Sequence, residues 1–218
     1  SSRGLGDVYK RQEIEKFQPD LLITMGGAVI SKRIKKFLRD ASIENHWRIG
    51  YEFPEMDTYR KLTHSFESSP AGFVQSLLSM DLNRNASNFG ALWKQRDFQN
   101  LEKLPAFFET IPYSDMAVFE TVLDYIPEHA YLHMANSSVV RYCQLYDPIP
   151  SIRYFSNRGT SGIDGSTSTA SGVALSSPKV CNVLITGDVS FFYDTNALWN
   201  KHLPVSYTHL RAHETTDN

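Results

Sequence analysis

The sequence predicts an α/β protein built from Rossmann-like, doubly wound parallel sheets. Short apolar runs rich in β-branched residues alternate along the chain with segments whose apolar residues recur at helical spacing. Turns rich in glycine, serine and threonine directly follow several of these predicted strands. An alternation of strands and helices is typical of βαβ units, whose strands lie parallel in one sheet.

The first βαβ unit begins with FQPDLLITMGG at residues 17–27, which predicts a buried strand running into a glycine turn. Residues 28–40 predict a helix, because apolar side chains recur there every three or four positions. HWRIGY at residues 46–51 predicts the second strand, and residues 54–70 are predicted to be irregular. This order of elements predicts a parallel sheet near the start of the chain.

A further helix is predicted to begin at Ser69 and Pro70, because serine caps helices and proline is favoured in a first turn. Its apolar face would consist of Phe73, Val74 and Leu77. The polar residues 79–104 predict a helical crossover between two domains.

The second unit shows the same alternation. Ser114 is the predicted cap of an amphipathic helix over residues 114–126. Strands are predicted at residues 130–134, 152–155 and 180–186. Helices are predicted to start within ANSSVVRYCQLY, around residues 169–175, and after the Gly-Asp pair at residues 187–188.

Three polar segments each directly follow a predicted strand of this second unit. They are NSSVVR at residues 136–141, SNRGTSGIDG at residues 156–165 and GDVS at residues 187–190. Ligands of doubly wound sheets bind at the carboxyl ends of the strands. We therefore expect the three segments to contribute to one site.

The GDVS segment predicts a site for a divalent cation and a phosphate. Asp188 would offer a hard oxygen ligand at the end of the strand, and Gly187 would let backbone N–H groups approach a ligand. Ser190, near the start of the following helix, could donate to a phosphate oxygen. The pattern alone fits equally well an aspartate that merely caps a helix.

The SNRGTSGIDG segment predicts a loop of low bulk that carries one cation. Arg158 is suited to bidentate contact with a carboxylate. Ile163 could press on the face of a cofactor, and Asp164 could cap the next helix. The three spaced glycines are Gly159, Gly162 and Gly165. A solvated turn with a structural arginine is the alternative interpretation.

In NSSVVR, Asn136 and Ser137 lie at a predicted helix N-terminus. Arg141 follows Ser137 by one helical turn on the same face, so a hydroxyl and a guanidinium would be stacked there. This pair suits an anionic substrate. A capping residue followed by a surface arginine explains the spacing equally well.

NSSVVR, SNRGTSGIDGSTSTASG and TGDVSFFYDTNAL, in this order, closely resemble the thiamine diphosphate-dependent 2-succinyl-5-enolpyruvyl-6-hydroxy-3-cyclohexene-1-carboxylate synthases of menaquinone biosynthesis. GGAVISKRIKKF at residues 26–37 resembles the middle domain of that family. The resemblance covers residues 13–204 and implies part of the thiamine diphosphate-binding fold. It implies the later part of the middle domain over residues 13–80, a linker over 81–104 and the first half of the diphosphate-binding domain over 105–204.

The resemblance also implies roles for individual residues. It makes Asp188 a Mg²⁺ or Mn²⁺ ligand and has Gly187, Val189 and Ser190 cradle the diphosphate of thiamine diphosphate, with Ile163 supporting the bent cofactor. The residues implied to bind substrate carboxylates are Ser137, Arg141, Arg158, Lys32 and Arg33. For Lys32 and Arg33, the solvated face of a helix remains the alternative.

The implied activity is that of a C–C bond-forming transferase, which decarboxylates 2-oxoglutarate and adds the resulting succinyl semialdehyde unit to isochorismate. The family's subunits form homo-oligomers, dimers or tetramers. The net charge of −2 gives no reason to expect a nucleic-acid partner, and no apolar run is long enough to span a membrane. Cys143 and Cys181 share no metal-type spacing with the histidines, so a cytoplasmic location is expected.

Both ends of the chain resemble translated sequencing-library adapters. These segments are SSRGLGDVYKRQ at residues 1–12 and VSYTHLRAHET within residues 205–218, and we exclude both from the predicted fold. On this interpretation the pyrimidine-binding domain, its cofactor-activating glutamate and the second metal ligand are missing. We therefore expect the chain by itself to be inactive and to bind the cofactor weakly.

Two other functions remain open from the sequence. One is a different thiamine diphosphate enzyme, of the 2-oxoacid decarboxylase or acetolactate synthase type, although such enzymes have less need of several arginines. The other is a non-catalytic α/β module that binds a nucleotide or phosphate, which GDVS and MGGAV would also fit.

Overall fold

A computed structural model describes residues 15–82 and 87–199, together with the backbone of Tyr207–Ala212. The protein is α/β, as predicted, and every strand pair in these ranges is parallel. The chain divides into two compact units between Pro105 and Ala106, and each unit holds one sheet. Within the described ranges no helix has both the length and the apolar character that crossing a membrane requires.

The first unit contains a three-stranded sheet of order β1-β2-β3. These strands are β1 (Leu21–Met25), β2 (Asn45–Ile49) and β3 (His64–Phe66). The prediction that residues 54–70 are irregular was wrong for β3. A strand of three residues shows too little alternation to be detected in a sequence, and it forms here by pairing Trp47 with His64.

Helix α1 (Lys32–Asp40) joins β1 to β2 and begins later than residue 28. Ser31 sets its start, because its hydroxyl accepts a hydrogen bond from the Ile34 N–H at 3.2 Å. Before it, the chain turns at Gly26, whose φ of 72° lies in the left-handed region that favours glycine. The glycine turn after β1 was thus predicted correctly.

Helix α2 (Pro70–Ser79) begins as predicted, with the Ser69 hydroxyl accepting from the Gly72 N–H at 3.1 Å. Phe73 is buried against Trp47 and Phe66. Val74, however, is 42% exposed, so its assignment to the apolar face was wrong. It lies about 100° around the helix from Phe73 and points away from this aromatic cluster.

Two helices connect the units. Helix α3 (Phe89–Leu101) occupies most of the predicted crossover, and helix α4 (Leu104–Thr110), which was not predicted, spans the division between the units. The aromatic side chains of α3 contribute to the first unit, since Trp93 makes edge contacts with Phe17 and Phe37.

The second unit alternates helix and strand as predicted. Its elements are α5 (Asp115–Asp124), β4 (Tyr131–Met134), α6 (Ser138–Cys143), β5 (Arg153–Phe155), α7 (Ser166–Ser176), β6 (Asn182–Gly187), α8 (Asp188–Tyr193) and β7 (Tyr207–Ala212). The sheet order is β5-β4-β6-β7. Ser114 caps α5, and the predicted face of α5 packs into a core that includes Phe119, Leu123 and Ile126.

Strand β7 differs from the sequence-based expectation, which left residues 205–218 out of the fold. Its backbone pairs in parallel with the whole of β6, from Asn182↔Tyr207 to Gly187↔Ala212. Residues 1–12, the other excluded segment, lie outside the described ranges.

The run of serines and threonines after residue 165 forms α7, which packs on β4 and β6. All six residues of β6 are buried, so the helix above them must approach closely. Small residues on the buried face of α7 allow that approach. They are Ser166, Thr167, Ala170, Ser171 and Ala174. Part of the low bulk of this segment therefore serves helix packing.

One buried histidine makes the stability of the second unit depend on pH. His133 stacks on Phe155 and hydrogen-bonds Asn182 Oδ1 through Nε2 at 2.9 Å. Burial lowers the pKa of His133 below its ordinary value of 6.5, and the bond to Asn182 opposes this only in part. Because the unfolded chain then binds more protons, this contribution is complete above about pH 6.5 and is lost as the pH falls from there toward the folded pKa.

We therefore expect the free energy of unfolding to fall as the pH is lowered from about 7.5 to about 5.5, with a flatter slope in His133→Gln. Urea unfolding at several pH values measures this. The same change at exposed His129 is the matched control and should preserve the original slope. An equal slope in His133→Gln and the unchanged chain would contradict the assignment.

Candidate functional site

The three polar segments lie together at one edge of the second sheet. They follow β4, β5 and β6, which are adjacent and parallel, so their carboxyl ends share an edge. The chain leaving β4 leads to β5 on one side, whereas the chain leaving β6 leads to β7 on the other. Such a switch point opens a crevice between two strands, where doubly wound folds bind ligands. We call residues 135–141, 156–165 and 187–190 the strand-end site.

Asn136 links the first two segments. It is 2% exposed, and its Nδ2 group donates to the carbonyl oxygens of Asn157 at 2.7 Å and Gly162 at 2.6 Å. Its Oδ1 accepts from Arg158 Nη1 at 2.5 Å. The predicted capping role for Asn136 was wrong, because its side chain bonds the loop after β5 instead. A buried amide after a strand was the available signal.

Arg141 and Arg158 lie close enough to affect each other electrostatically. Partial burial lowers the pKa of Arg158, and the positive charge of Arg141 lowers it further. Among the described residues, neither arginine forms an ion pair with a carboxylate. The site thus brings together two like charges, an arrangement that an anion would stabilise.

Ser137 begins α6 with an unusual backbone. Its φ is 74° and its ψ is −125°, and its side chain makes no capping hydrogen bond. Ser137 thus occupies the predicted N-cap position, but its hydroxyl does not cap the helix. Residues other than glycine rarely adopt this conformation, which costs on the order of 1–3 kcal/mol.

Ser137→Gly should raise the free energy of unfolding by about 1 kcal/mol, since relief of the strained φ exceeds the entropic cost of glycine. Ser137→Ala removes the same hydroxyl and retains the strain, so it should give no gain. Chemical denaturation of both variants measures the difference. A glycine variant no more stable than the alanine variant would show that the backbone is not strained.

The third segment places a carboxylate at the end of β6. Asp188 is the first residue of α8 and is partly exposed, and its Oδ1 accepts from the Val189 N–H at 2.7 Å. Gly187 is buried and Val189 is exposed. Across the described ranges, no group of three His, Cys, Asp or Glu residues could hold a metal ion. Asp188 therefore offers a single carboxylate.

Helix α8 is held near its start by the loop after β5 and at its end by helix α7. Near its start, the buried Ser190 hydroxyl donates to the carbonyl oxygen of Ile163. At its end, Asp194 is 6% exposed and accepts from the backbone N–H of Ser168 at 2.6 Å and from its hydroxyl at 2.5 Å. Asp194, missed by the sequence analysis, thus completes the N-terminus of α7.

Two glycines in the loop after β5 differ in whether their position requires glycine. Gly165 has a φ of 75° and is the N-cap of α7, so the prediction that Asp164 caps this helix was wrong. A Cβ on Gly159 would meet no atom within 4 Å. The packing of this chain therefore does not itself require glycine at position 159.

Lys32 and Arg33 occupy the first turn of α1 in the other unit and are exposed. The N-terminus of a helix carries partial positive charge, which disfavours cations there. The first turn of α1 itself contains no acidic residue. An anion near this end of α1 would be stabilised by both side chains and by the helix.

Comparison with curated proteins gives one consistent result, although no protein-family model matches the chain. It is 44% identical over 199 residues to a 2-succinyl-5-enolpyruvyl-6-hydroxy-3-cyclohexene-1-carboxylate synthase of Flavobacterium psychrophilum, covering 91% of this chain and 36% of that protein. A protein of the same name from Flavobacterium johnsoniae is 43% identical, over 91% of this chain and 35% of that protein. Another from Bacteroides thetaiotaomicron is 41% identical, over 84% of this chain and 31% of that protein. The chain thus spans about a third of the length of these relatives.

Proposed function

Since the chain belongs to the family of 2-succinyl-5-enolpyruvyl-6-hydroxy-3-cyclohexene-1-carboxylate synthases, we propose that it is the part of such an enzyme that binds substrate carboxylates and the cofactor diphosphate. The full-length enzyme would decarboxylate 2-oxoglutarate and add the succinyl unit to isochorismate, as a C–C bond-forming transferase. The observation that carries this proposal is the shared sheet edge at which β4, β5 and β6 end, because it brings together the segments of Arg141, Arg158 and Asp188.

The proposed substrates explain the arrangement of charges. Both are dicarboxylic acids, and Arg141 and Arg158 supply two guanidinium groups for carboxylate oxygens. The Ser137 hydroxyl is not used as a cap, and we assign it to the same carboxylates. The arginines thereby orient the acid and offset its charge, which lowers the entropic cost of reaction.

We assign cofactor binding to the end of β6 and the start of α8. Asp188 fits a Mg²⁺ or Mn²⁺ ion bound through one carboxylate, because such ions commonly complete their shells with water and ligand phosphates. Gly187 and Val189 would line the diphosphate site, and Ile163 would contact the thiamine portion. Bound thiamine diphosphate would supply the electron sink for decarboxylation.

The Ser190 hydroxyl does not donate to a phosphate as predicted, because it already donates to the protein. Its hydroxyl has a single proton, which it donates to the Ile163 carbonyl. Its backbone N–H, in the first turn of α8, is the group we assign to the diphosphate. The hydroxyl instead connects the cofactor segment to the substrate loop.

Lys32 and Arg33 are proposed to contribute to substrate binding from the middle domain, over residues 13–80. Two cations at the start of α1 oppose the helix dipole, which is consistent with an anionic ligand. Residues 81–104 would be the linker and residues 105–204 the first half of the diphosphate domain. We propose homo-oligomeric assembly of the full-length enzyme.

The test uses the full-length protein that contains this segment, with thiamine diphosphate, Mg²⁺ and isochorismate. We expect CO₂ release and formation of the coupled product with 2-oxoglutarate, and at least about a hundredfold lower kcat/KM with pyruvate, which lacks the second carboxylate. Equal or better use of pyruvate would favour a decarboxylase or acetolactate synthase. A rise in melting temperature with a nucleotide but not with thiamine diphosphate and Mg²⁺ would favour a phosphate-binding module.

A further inference from the structure

We propose that Asn136 is a positioning residue, which sets the orientation of the Arg158 guanidinium and the shape of the loop after β5. The inference rests on the proposed function, in which Arg158 binds a substrate carboxylate. Asn136 directly follows β4, so its position is fixed by the sheet. Its hydrogen bonds can therefore hold the loop after β5, which has no regular structure of its own.

The hydrogen bonds of Asn136 satisfy its amide group. Both protons of Nδ2 have carbonyl acceptors, on Asn157 and Gly162, and Oδ1 accepts from Arg158. The residue is 2% exposed, so water does not compete effectively for these bonds. One side chain therefore holds the loop at two points that flank Arg158 and holds the arginine itself.

The contact with Asn136 leaves one edge of the Arg158 guanidinium without a hydrogen-bond partner among the described residues. Nη1 is engaged by Asn136, whereas Nε is buried and has no hydrogen-bond partner among the described residues. Nε and Nη2 together form the side-on edge of a guanidinium, which binds a carboxylate through two parallel hydrogen bonds. Asn136 thus satisfies Nη1 and leaves the Nε edge of Arg158 for the ligand in this proposal.

An amide is the group that meets these requirements. Aspartate has nearly the same shape, but its ionised carboxylate cannot donate to two carbonyl oxygens and would repel them. It would also pair with Arg158 and reduce the attraction of this guanidinium for an anion.

The test compares Asn136→Ala, Asn136→Asp and Asn182→Ala in the full-length enzyme. Asn182 is the matched control, because it is a fully buried amide with hydrogen bonds of its own, at the start of β6 and outside the strand-end site. We expect Asn136→Ala to raise the KM for 2-oxoglutarate at least about tenfold, with a smaller change in kcat. Asn182→Ala should change this KM by less than about threefold in the folded enzyme.

The aspartate variant separates positioning from simple destabilisation. In folded Asn136→Asp, the KM for 2-oxoglutarate should rise at least as much as in Asn136→Ala, because the ionised carboxylate pairs with Arg158 and competes with the substrate. Melting temperatures show whether each variant is folded, and activity is measured well below the lowest of them.

A KM for 2-oxoglutarate in folded Asn136→Ala that matches Asn182→Ala would overturn the inference, as would a KM in folded Asn136→Asp that matches the unchanged enzyme. If Asn136→Ala does not fold, the KM of Asn136→Asp decides alone. If the proposed function itself is wrong, the result differs from these, because the unchanged enzyme would then show no turnover of 2-oxoglutarate.

Discussion

Replacing Asp188 with asparagine should lower the activity of the full-length enzyme by about a hundredfold or more at a Mg²⁺ concentration that saturates the unchanged protein. Asp188 is the carboxylate that the structure places at the end of β6, at the switch point of the sheet. An amide oxygen is a weaker ligand for a hard divalent cation, and its neutral charge leaves the cation and diphosphate less well balanced. Steady-state rates against Mg²⁺ and thiamine diphosphate measure the loss.

Asp124→Asn is the matched control for this experiment. Asp124 is an exposed carboxylate at the end of α5, in the same unit but outside the strand-end site. It should leave the dependence on Mg²⁺ unchanged. If Asp188→Asn retains the Mg²⁺ dependence and rate of the unchanged enzyme, Asp188 is not the metal ligand, and its carboxylate serves only to accept from the Val189 N–H in the first turn of α8.

The largest stability effect is expected at Leu132. This residue is fully buried in β4, which lies between β5 and β6, and it belongs to the core cluster with Phe119 and Val183. Leu132→Ala should lower the free energy of unfolding by about 3 kcal/mol, because it removes buried apolar contacts and leaves a cavity that the paired strands cannot close. Urea unfolding followed by circular dichroism measures the change.

Leu175→Ala provides the comparison on the same unit. Leu175 lies on α7 and is 44% exposed, so its truncation should cost less than about 0.5 kcal/mol. Similar losses for the two leucines would mean that β4 is not the centre of the core.

The predictions that succeeded concern features for which the local sequence and the tertiary structure favour the same conformation. Ser69 and Ser114 cap helices in the structure as they were predicted to, because a serine cap depends on residues within one turn. The buried strands β4 and β6 were detected because short apolar runs fit few environments other than a covered sheet.

The predictions that failed needed information from distant residues. The short strand β3 exists only through its pairing with β2, and residues 207–212 form β7 by pairing with β6. Asp164 and Asn136 both had the composition of helix caps. In the structure Gly165 is the N-cap of α7, and the Asn136 side chain forms hydrogen bonds with the loop after β5.

The α/β class, the order of most helices and strands, and the resemblance to the synthase family could all be predicted from the residues, since they follow from periodicity and from motifs along the chain. The folded structure was needed to show that Asn136 bonds Arg158, that Ser190 bonds Ile163 and that Asp194 bonds the start of α7. These contacts join residues more than twenty positions apart. Their geometry depends on which strands are neighbours in the sheet, and no local propensity specifies that order.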